Sequence, residues 1–517
     1  MADAPKKKRF QMPSAYVIVF IALLVVVLLT YFIPVSIHHP DTGEVVYNAI
    51  LDENGEIVQD AGPQPYGIWD IIIAPIKGFQ DASNVGIALL MAGGFLSVLT
   101  ATGGLDAGIG KMLKVLKGAP LIALMNLVFA LMGTVFGFWE ETLAFGLVVI
   151  PIFVRAGYDV MMGMAVMFLG ATVGNMASVV NPFATGAAVA AIGDPNLTMG
   201  SGIVLRMVLF LAMYLLSTAL LIRYGAKVKA NPERSVLAHV DGIKTGVDNN
   251  AALPEMTGKR IASIVLFVVM ILLLVIGYVP WADIGGEGVS NFVNAPIRAL
   301  AKVPLLGNIL GATHITPLGE WGFDEFSVLF FGGALLLLII NRLKVQDFID
   351  QFLDGAKNLL GVVIVLSISR GIGVVMGDSS QGMSVTFVYW ISNALSHLPQ
   401  WVFAVFAVIA YVGIGIAMQS TSGVSGISMP ILGAVAAALF AGSAIGSEGG
   451  GIVLISAFTI GLNFMCLIYP GAEVLGVSEM YGVPYSSYLK FMLTHAIPLL
   501  LLATVILSLA PYVGLVF

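Results

Sequence analysis

Two adjacent carboxylates, Glu140 and Glu141, stand near the middle of an apolar block that covers 119–157 of a 517-residue chain. An ionised carboxylate at the centre of a membrane helix costs about 2.5–3.5 kcal/mol. Two in succession therefore call for a proton, a cation or a pairing partner, and like charge disfavours ionising both. The expected chemistry is that one of them holds a proton or meets a cationic group while the other is neutral or turned away. The alternative is that the block truly crosses the membrane and the glutamates cap a helix at its surface. A second apolar block, 401–441, is broken by Gln419-Ser420-Thr421-Ser422-Gly423. Hydroxyls and backbone N–H groups at a half-helix start suit a carboxylate or a small anion. They could equally bond back to the helix that carries them.

Two further breaks follow these blocks. NMASVVNPFATG (175–186) and NFMCLIYPGAEVLG (463–476) each contain a proline, Pro182 and Pro470, that cannot donate to a helix ladder and so frees a carbonyl upstream. With Thr142 of the first tip, these segments add Asn175, Asn181, Thr185, Asn463 and Glu473 to the candidate substrate-binding residues. Glu473 is either a third carboxylate beside the cavity or the marker of a helix end. Arg206 and Arg370 are the two cations inside spans. Each could pair with a glutamate, hold a lipid phosphate or meet an anionic substrate, and a structural pair is the favoured reading.

Other chemistry is poorly served. Lys111 in GGLDAGIGKM misses a phosphate loop, because Leu105 and Met112 replace its required residues. DENGEIVQD (52–60) matches a calcium loop only at its start, and the scattered histidines, His38, His39, His239, His314, His397 and His495, form no HExxH pair. The single cysteine, Cys466, reads as a small buried hydrophobe. No metal, cofactor, catalytic residue or enzymatic activity is expected, and a nucleic-acid partner has no basic stripe to bind.

The elements that would carry these residues follow from composition. With 58% hydrophobic and 10% charged residues, the chain is far from the roughly 25% charge of a soluble domain. Segments able to cross about 30 Å of hydrocarbon fall at 16–35, 84–102, 160–183, 202–223, 261–280, 323–341, 358–377, 450–470 and 485–515. The first is too long for a signal-peptide core and reads as a retained helix. The blocks 119–157 and 401–441 are drawn as re-entrant hairpins that do not change sides.

With the N-terminus cytoplasmic, 19 of the 24 Lys and Arg residues fall on the cytoplasmic side, and only Lys77, Arg298 and Lys302 fall outside. The C-terminus is then external.

Self-similarity orders the chain further. GFWEETLAFGLVVIP (137–151) aligns with IAMQSTSGVSGISMP 279 residues later, and NMASVVNP (175–182) with NFMCLIYP 288 residues later. The offset pairs Asn175 with Asn463 and Thr185 with Glu473. By the charge map the first hairpin opens inward and the second outward, so the copies are inverted, and the span 261–280 supplies the crossing that reverses them. The expected organisation is a first repeat over 1–224 with hairpin 119–157 and broken helix 160–190. A cytoplasmic linker follows at 225–258, then a reversing helix and external loop at 259–322. The second repeat covers 323–517, with hairpin 401–441 and broken helix 450–476. Inverted repeats with interrupted helices point to a secondary transporter whose site lies at the bilayer midplane, because broken backbone at that depth needs a polar cavity, ligand or ion.

Over nearly its whole length, and most specifically in GFWEETLAFGLVVIPIFVRAGYD, VNPFATG and SGVSGISMPILG, the chain resembles the YfcC group of the DcuC and ArcD-like carriers, within the ion transporter superfamily. The resemblance implies an all-α polytopic membrane protein of about nine transmembrane helices plus two re-entrant hairpins. It also implies a homodimeric scaffold and an elevator-type moving domain, in a bacterial inner membrane. Divalent-anion members carry Ser-Asn-Thr at both tips; here the tips read Glu-Glu-Thr and Gln-Ser-Thr-Ser. Negative charge favours a substrate with an amine or guanidinium. The leading expectation is a carrier of basic or zwitterionic amino acids, by antiport or proton coupling, with the cationic end on Glu140, Glu141 or Glu473 and the carboxylate on the second tip. The alternative is a C4-dicarboxylate or other small organic-anion carrier coupled to sodium or protons.

Overall fold

The structure is a computed structural model that describes residues 15–38, 45–52, 55–246, 254–279, 281–303, 305–309, 311–377, 381–396 and 398–516. The basic cluster Lys6 to Arg9, His39, Asp41, Glu44, Glu53 and His397 lie outside the described residues, as do the side chains of Pro182, Asp283 and Ser422.

The chain is a polytopic helical membrane protein. Helix α1 (Ala15–Leu29) leads into short strands β1 (Ser36–His38), β2 (Val45–Val46), β3 (Ala49–Leu51) and β4 (Ile57–Gln59). Next come α2 (Ile68–Asp81), α3 (Ser83–Ala101) and α4 (Gly104–Val115), then the hairpin of α5 (Ala119–Phe136) and α6 (Thr142–Arg155). α7 (Val160–Ala177) breaks, makes one π turn at Pro182–Gly186, and continues as α8 (Ala187–Ile192) before α9 (Ile203–Ala230). α10 (Gly258–Tyr278) is followed by the short α11 (Trp281–Val293), α12 (Ala295–Ala301) and α13 (Leu306–Ile309), and then by α14 (Phe323–Asn341) and α15 (Val345–Met376). The remainder is β5 (Gln381–Gly382), α16 (Met383–Leu395), the hairpin of α17 (Gln400–Ala417) and α18 (Thr421–Phe440), α19 (Gly446–Ile468), α20 (Ala472–Tyr481) and α21 (Tyr485–Leu509).

Among the described residues, nine helices are long and apolar enough to cross a membrane. Eight of them coincide with spans expected from the sequence; the ninth is α18, the return arm of the second hairpin. α15 begins 13 residues earlier than its expected span, because the polar turn Val345–Lys357 continues the same helix. α2 and α16 are helices where the sequence suggested only connections.

Each hairpin closes on itself. Ile122 near the start of α5 and Tyr158 just after α6 both reach Gly225 of α9, at 3.0 Å from where a Cβ would stand. In the second hairpin, Gln400 donates to the Leu439 carbonyl and Phe403 meets Phe440 edge to face at 5.7 Å. The base of that hairpin lies on the first turns of α19, where Gly450 abuts Ala436, and Ile452 of the same stretch packs on Gly202 at the start of α9. Gly202 and Gly225 are separated by 23 helical residues, about 35 Å of rise. The two hairpin bases therefore sit at opposite ends of α9.

At the centre are α7, in which every residue is buried, and α19. α5 crosses α7 through two small residues: a Cβ on Gly174 would lie 2.1 Å from the Ala130 carbonyl, and one on Gly133 would lie 2.4 Å from that of Ala171. Side chains are left out so that backbones can approach, the usual device where lipid offers no hydrophobic drive. It draws the first hairpin tip onto the break of α7. Around this centre lie α9 and α21. On the far side of the hairpins, α15 packs against α1, α2 and α3, and α14 packs against α3 and α10. α20 is wedged between the two groups: its Gly476 faces Leu143 of α6 and Val362 of α15.

Candidate functional site

The first tip, 137–141, is held within the protein by local chemistry. Gly137 ends α5 in the left-handed region (φ 74°), and Phe138 packs with Phe129 of α5 and Phe145 of α6 in a three-ring cluster beneath the turn. Thr142 is buried and donates its hydroxyl to the Trp139 carbonyl at 2.5 Å. The buried Glu141 carboxylate accepts the Trp139 backbone N–H at 3.2 Å. This tight loop turns the Glu141 side chain back into the protein.

Glu140 points the other way. Its Oε1 lies 3.2 Å from Nη2 of Arg370 on α15, and the two side chains keep 27% and 30% of their surface open, so the pair is not sealed. Arg370 is fixed from behind. A Cβ on Gly78 of α2 would stand 2.3 Å from the Gly371 nitrogen and 2.9 Å from the Arg370 carbonyl carbon, and one on Gly371 would stand 2.7 Å from Ala74.

Glu473 joins them from the first turn of α20, where the partial positive charge of a helix start favours a carboxylate. It lies within electrostatic reach of Glu140 and Arg370, with the Trp139 side chain nearby. Tyr278, at the end of α10, is within reach of Glu141 and Glu140. Three carboxyl groups thus lie within electrostatic reach of one another, and one of them, Glu140, is paired with a guanidinium.

The polar residues of the broken helices lock the frame around this cluster. Asn175 donates to the Phe138 carbonyl at 3.0 Å, tying the α7 break to the first tip. Asn181 caps the π turn by accepting from Phe183 and Ala184 N–H at 3.0 and 3.2 Å, and its amide is 3.4 Å from Oδ1 of Asn175. Thr185 donates to the Ser178 carbonyl at 2.7 Å. Asn463 donates to the Asn175 and Thr459 carbonyls at 3.1 and 2.8 Å. These side chains hold exposed backbone in place; Asn175, Asn181, Thr185 and Asn463 all spend their bonds within the protein.

The second tip behaves differently from the first. Ser420 caps α18 by accepting the Gly423 N–H at 3.2 Å, and Gln419 donates to the Gly415 carbonyl. Thr421 opens α18 half-buried. Among the described residues, the hydrogen bonds of Gln419 and Ser420 stay within their own hairpin. This tip seats on the second broken helix, with Gly415 against Met465 and Leu462. An apolar cavity of about 470 Å³ separates it from α1 and α16, lined by residues such as Val26, Phe387, Met418 and Tyr469. So few polar groups suit no charged ligand.

The sequence did not single out Trp139 or Tyr278, and it offered Arg370 three roles without choosing a partner. Trp139 carried a usable signal, an indole N–H beside two glutamates in a tip. For Tyr278 there was none beyond its place at a span end.

A family model described as "DcuC: C4-dicarboxylate anaerobic carrier" matches residues 12–512. An Escherichia coli K12 protein described as a putative basic amino acid antiporter, YfcC, is 25% identical over 529 residues, covering 95% of this chain and 94% of its own length. An uncharacterised Haemophilus influenzae protein is 24% identical, covering 98% of each chain. Among solved structures, the Alcanivorax borkumensis YdaH transporter, described as having an unusual topology, aligns over 97% of this chain and 99% of its own at 15% identity and a TM-score of 0.41.

Proposed function

The chain belongs to the C4-dicarboxylate anaerobic carrier family of transporters, and on that premise we propose that it is a secondary active carrier of basic or zwitterionic amino acids of the arginine and ornithine type. The observation that carries this reading is the charge count at the site. Glu140 pairs with the Arg370 guanidinium, Glu473 lies within electrostatic reach of both, and Glu141 is a third carboxyl group within reach of Glu140 and Glu473. Carboxylates in excess of cations at membrane depth are costly unless protons or a cationic ligand make up the difference. A substrate amine or guanidinium does so, and its departure must be matched by another cation or by protons. That requirement favours antiport or proton coupling over uniport. The description of the E. coli relative as a putative basic amino acid antiporter agrees with this choice of substrate.

The mode of movement belongs to the same proposal. The hairpins, the broken helices, α9 and α21 form the moving part of an elevator, and α1–α3, α10, α14 and α15 form a scaffold through which the chain dimerises. Inverted repeats relate the two halves, and the protein resides in a bacterial inner membrane with a cytoplasmic N-terminus and an external C-terminus. The placement of the two hairpin bases at opposite ends of α9 supports the inversion.

A second reading, a C4-dicarboxylate or other organic-anion carrier coupled to sodium or protons, draws on the family description and on Arg370 as the one cation of the cluster. Counterflow in proteoliposomes separates the two. Vesicles loaded with unlabelled arginine should accumulate labelled arginine and ornithine but not succinate, with or without a sodium gradient. Succinate exchange without arginine exchange would overturn the amino-acid reading in favour of the second.

A further inference from the structure

We propose that Arg370 is the residue that binds the carboxylate of the transported amino acid, so that the Glu140–Arg370 pair is the seat of the substrate's α-amino-acid headgroup; this rests on the amino-acid reading above. The pair is joined by a single contact, Nη2 to Oε1 at 3.2 Å. A guanidinium carries five N–H donors in a fork that matches a carboxylate edge to edge. Among the described residues, one of those donors is used by the protein. Among the described residues, the other donors of Arg370 and the second oxygen of Glu140 have no hydrogen-bond partner, and both side chains keep more than a quarter of their surface open.

The geometry of the ligand completes the argument. An α-amino acid carries an ammonium and a carboxylate on the same carbon, of opposite sign and a few ångströms apart. Inserted into the pair, its ammonium replaces Arg370 on Glu140 while its carboxylate takes the freed fork of Arg370. Two charge-assisted pairs replace one, with Glu141 and Glu473 left for a cationic side chain. The sequence placed this carboxylate on the second tip. Gln419 and Ser420 there are bonded within their own hairpin, whereas Arg370 is open and is anchored by the close α2–α15 crossing at Gly78 and Gly371. Recognition of the carboxylate by a helix outside the hairpins also makes occupancy sensitive to where the tip stands relative to α15.

The test compares L-arginine with agmatine, which is arginine without its carboxylate, as inhibitors of labelled ornithine uptake by the full-length protein in proteoliposomes. The wild type should be inhibited by arginine at concentrations about tenfold or more below those of agmatine, because a donor fork left unpaired by agmatine discriminates against it. In Arg370→Gln the ratio should fall to near one through weaker inhibition by arginine alone. Arg370→Lys, which keeps the charge but not the fork, should fall between. Where Arg370→Gln transports too little to measure, the same ratio is read from ligand-induced shifts in thermal unfolding of the purified variant. Equal weakening of both ligands, or an unchanged ratio, overturns the assignment. Wild-type protein that takes up neither ornithine nor arginine instead overturns the amino-acid reading, and is recognised before any variant is made.

Discussion

Asn463 donates its side-chain amide to the backbone carbonyl of Asn175, the residue 288 positions earlier with which it aligns in the repeat, at 3.1 Å. Thr459, one turn before it, donates to Met176 at 2.9 Å. The two broken helices are thus stitched together where α7 ends, at residues of α19 that precede its own break. Replacing Asn463 with Ala removes the donor and should cost about 1 kcal/mol, in line with side-chain hydrogen bonds measured between membrane helices. Asn463→Asp, nearly the same size, presents a carboxyl group to two carbonyls and should be the more damaging change. Unfolding midpoints in detergent check the order; an aspartate variant as stable as the wild type would mean that packing volume, and not the donor, holds the helices together.

The Trp139 side chain lies near the Glu473 carboxyl group at the start of α20, while its ring packs on Phe168 at 5.6 Å. Trp139→Phe keeps the ring and deletes the N–H. A hydrogen bond to a charged group is worth about 1.5–3 kcal/mol, so exchange should slow by about tenfold or more with little change in unfolding temperature. Glu473→Gln, which retains an acceptor but loses the charge, should lower exchange further. Full exchange by both variants would remove Glu473 from the site.

The crossing of α2 and α15 gives a prediction about position instead of charge. Any Cβ on Gly78 would stand 2.2 Å from the Ser367 carbonyl oxygen, against backbone that cannot turn aside. Gly78→Ala should cost about 1–3 kcal/mol as overpacking and, by pushing on α15 beneath Arg370, weaken ornithine uptake. Gly373→Ala on the same helix meets nothing within 4 Å and should be neutral or slightly stabilising, since Ala favours helix more than Gly. Matching losses in both variants would show that the close contact of Gly78 with α15 is not what makes its replacement costly.

The hairpins were readable because membrane depth penalises polarity. Glu140-Glu141 and Gln419-Ser420 interrupt apolar runs that nothing else would excuse, and they predict tips where the structure puts non-helical turns at 137–141 and 418–420. The breaks announced themselves through Asn and Pro, although the second proved shorter, at Tyr469–Gly471, than the stretch read from 463–476. The partner of Arg370 was not readable, because it lies 230 residues away and neither local pattern encodes the distance. α2 was missed because its 14 residues are amphipathic and carry Asp70, Lys77 and Asp81 along with Pro75, so no uninterrupted apolar run marks them. The quiet second tip was also out of reach: whether Ser420 caps its own helix or faces a ligand depends on a rotamer, which sequence spacing does not fix.

The opposed hairpins make the last prediction, and it concerns sidedness alone. Cys466 is the single cysteine and is buried, so Cys466→Ala gives a background for placing one reporter at a time. Lys117, just before α5, is exposed, and Gly442, just after α18, is exposed with nothing within 4 Å of a Cβ. Each lies at the base of its hairpin, and the bases sit at opposite ends of α9, about 35 Å apart along the helix. In intact cells a membrane-impermeant maleimide should label Gly442→Cys and leave Lys117→Cys untouched until the membrane is opened, because the positive residues gather at the Lys117 end and mark it as cytoplasmic. Labelling of both from outside would mean that one hairpin crosses instead of returning, and with that the carboxylates of the first tip would stand at a surface where no partner is required.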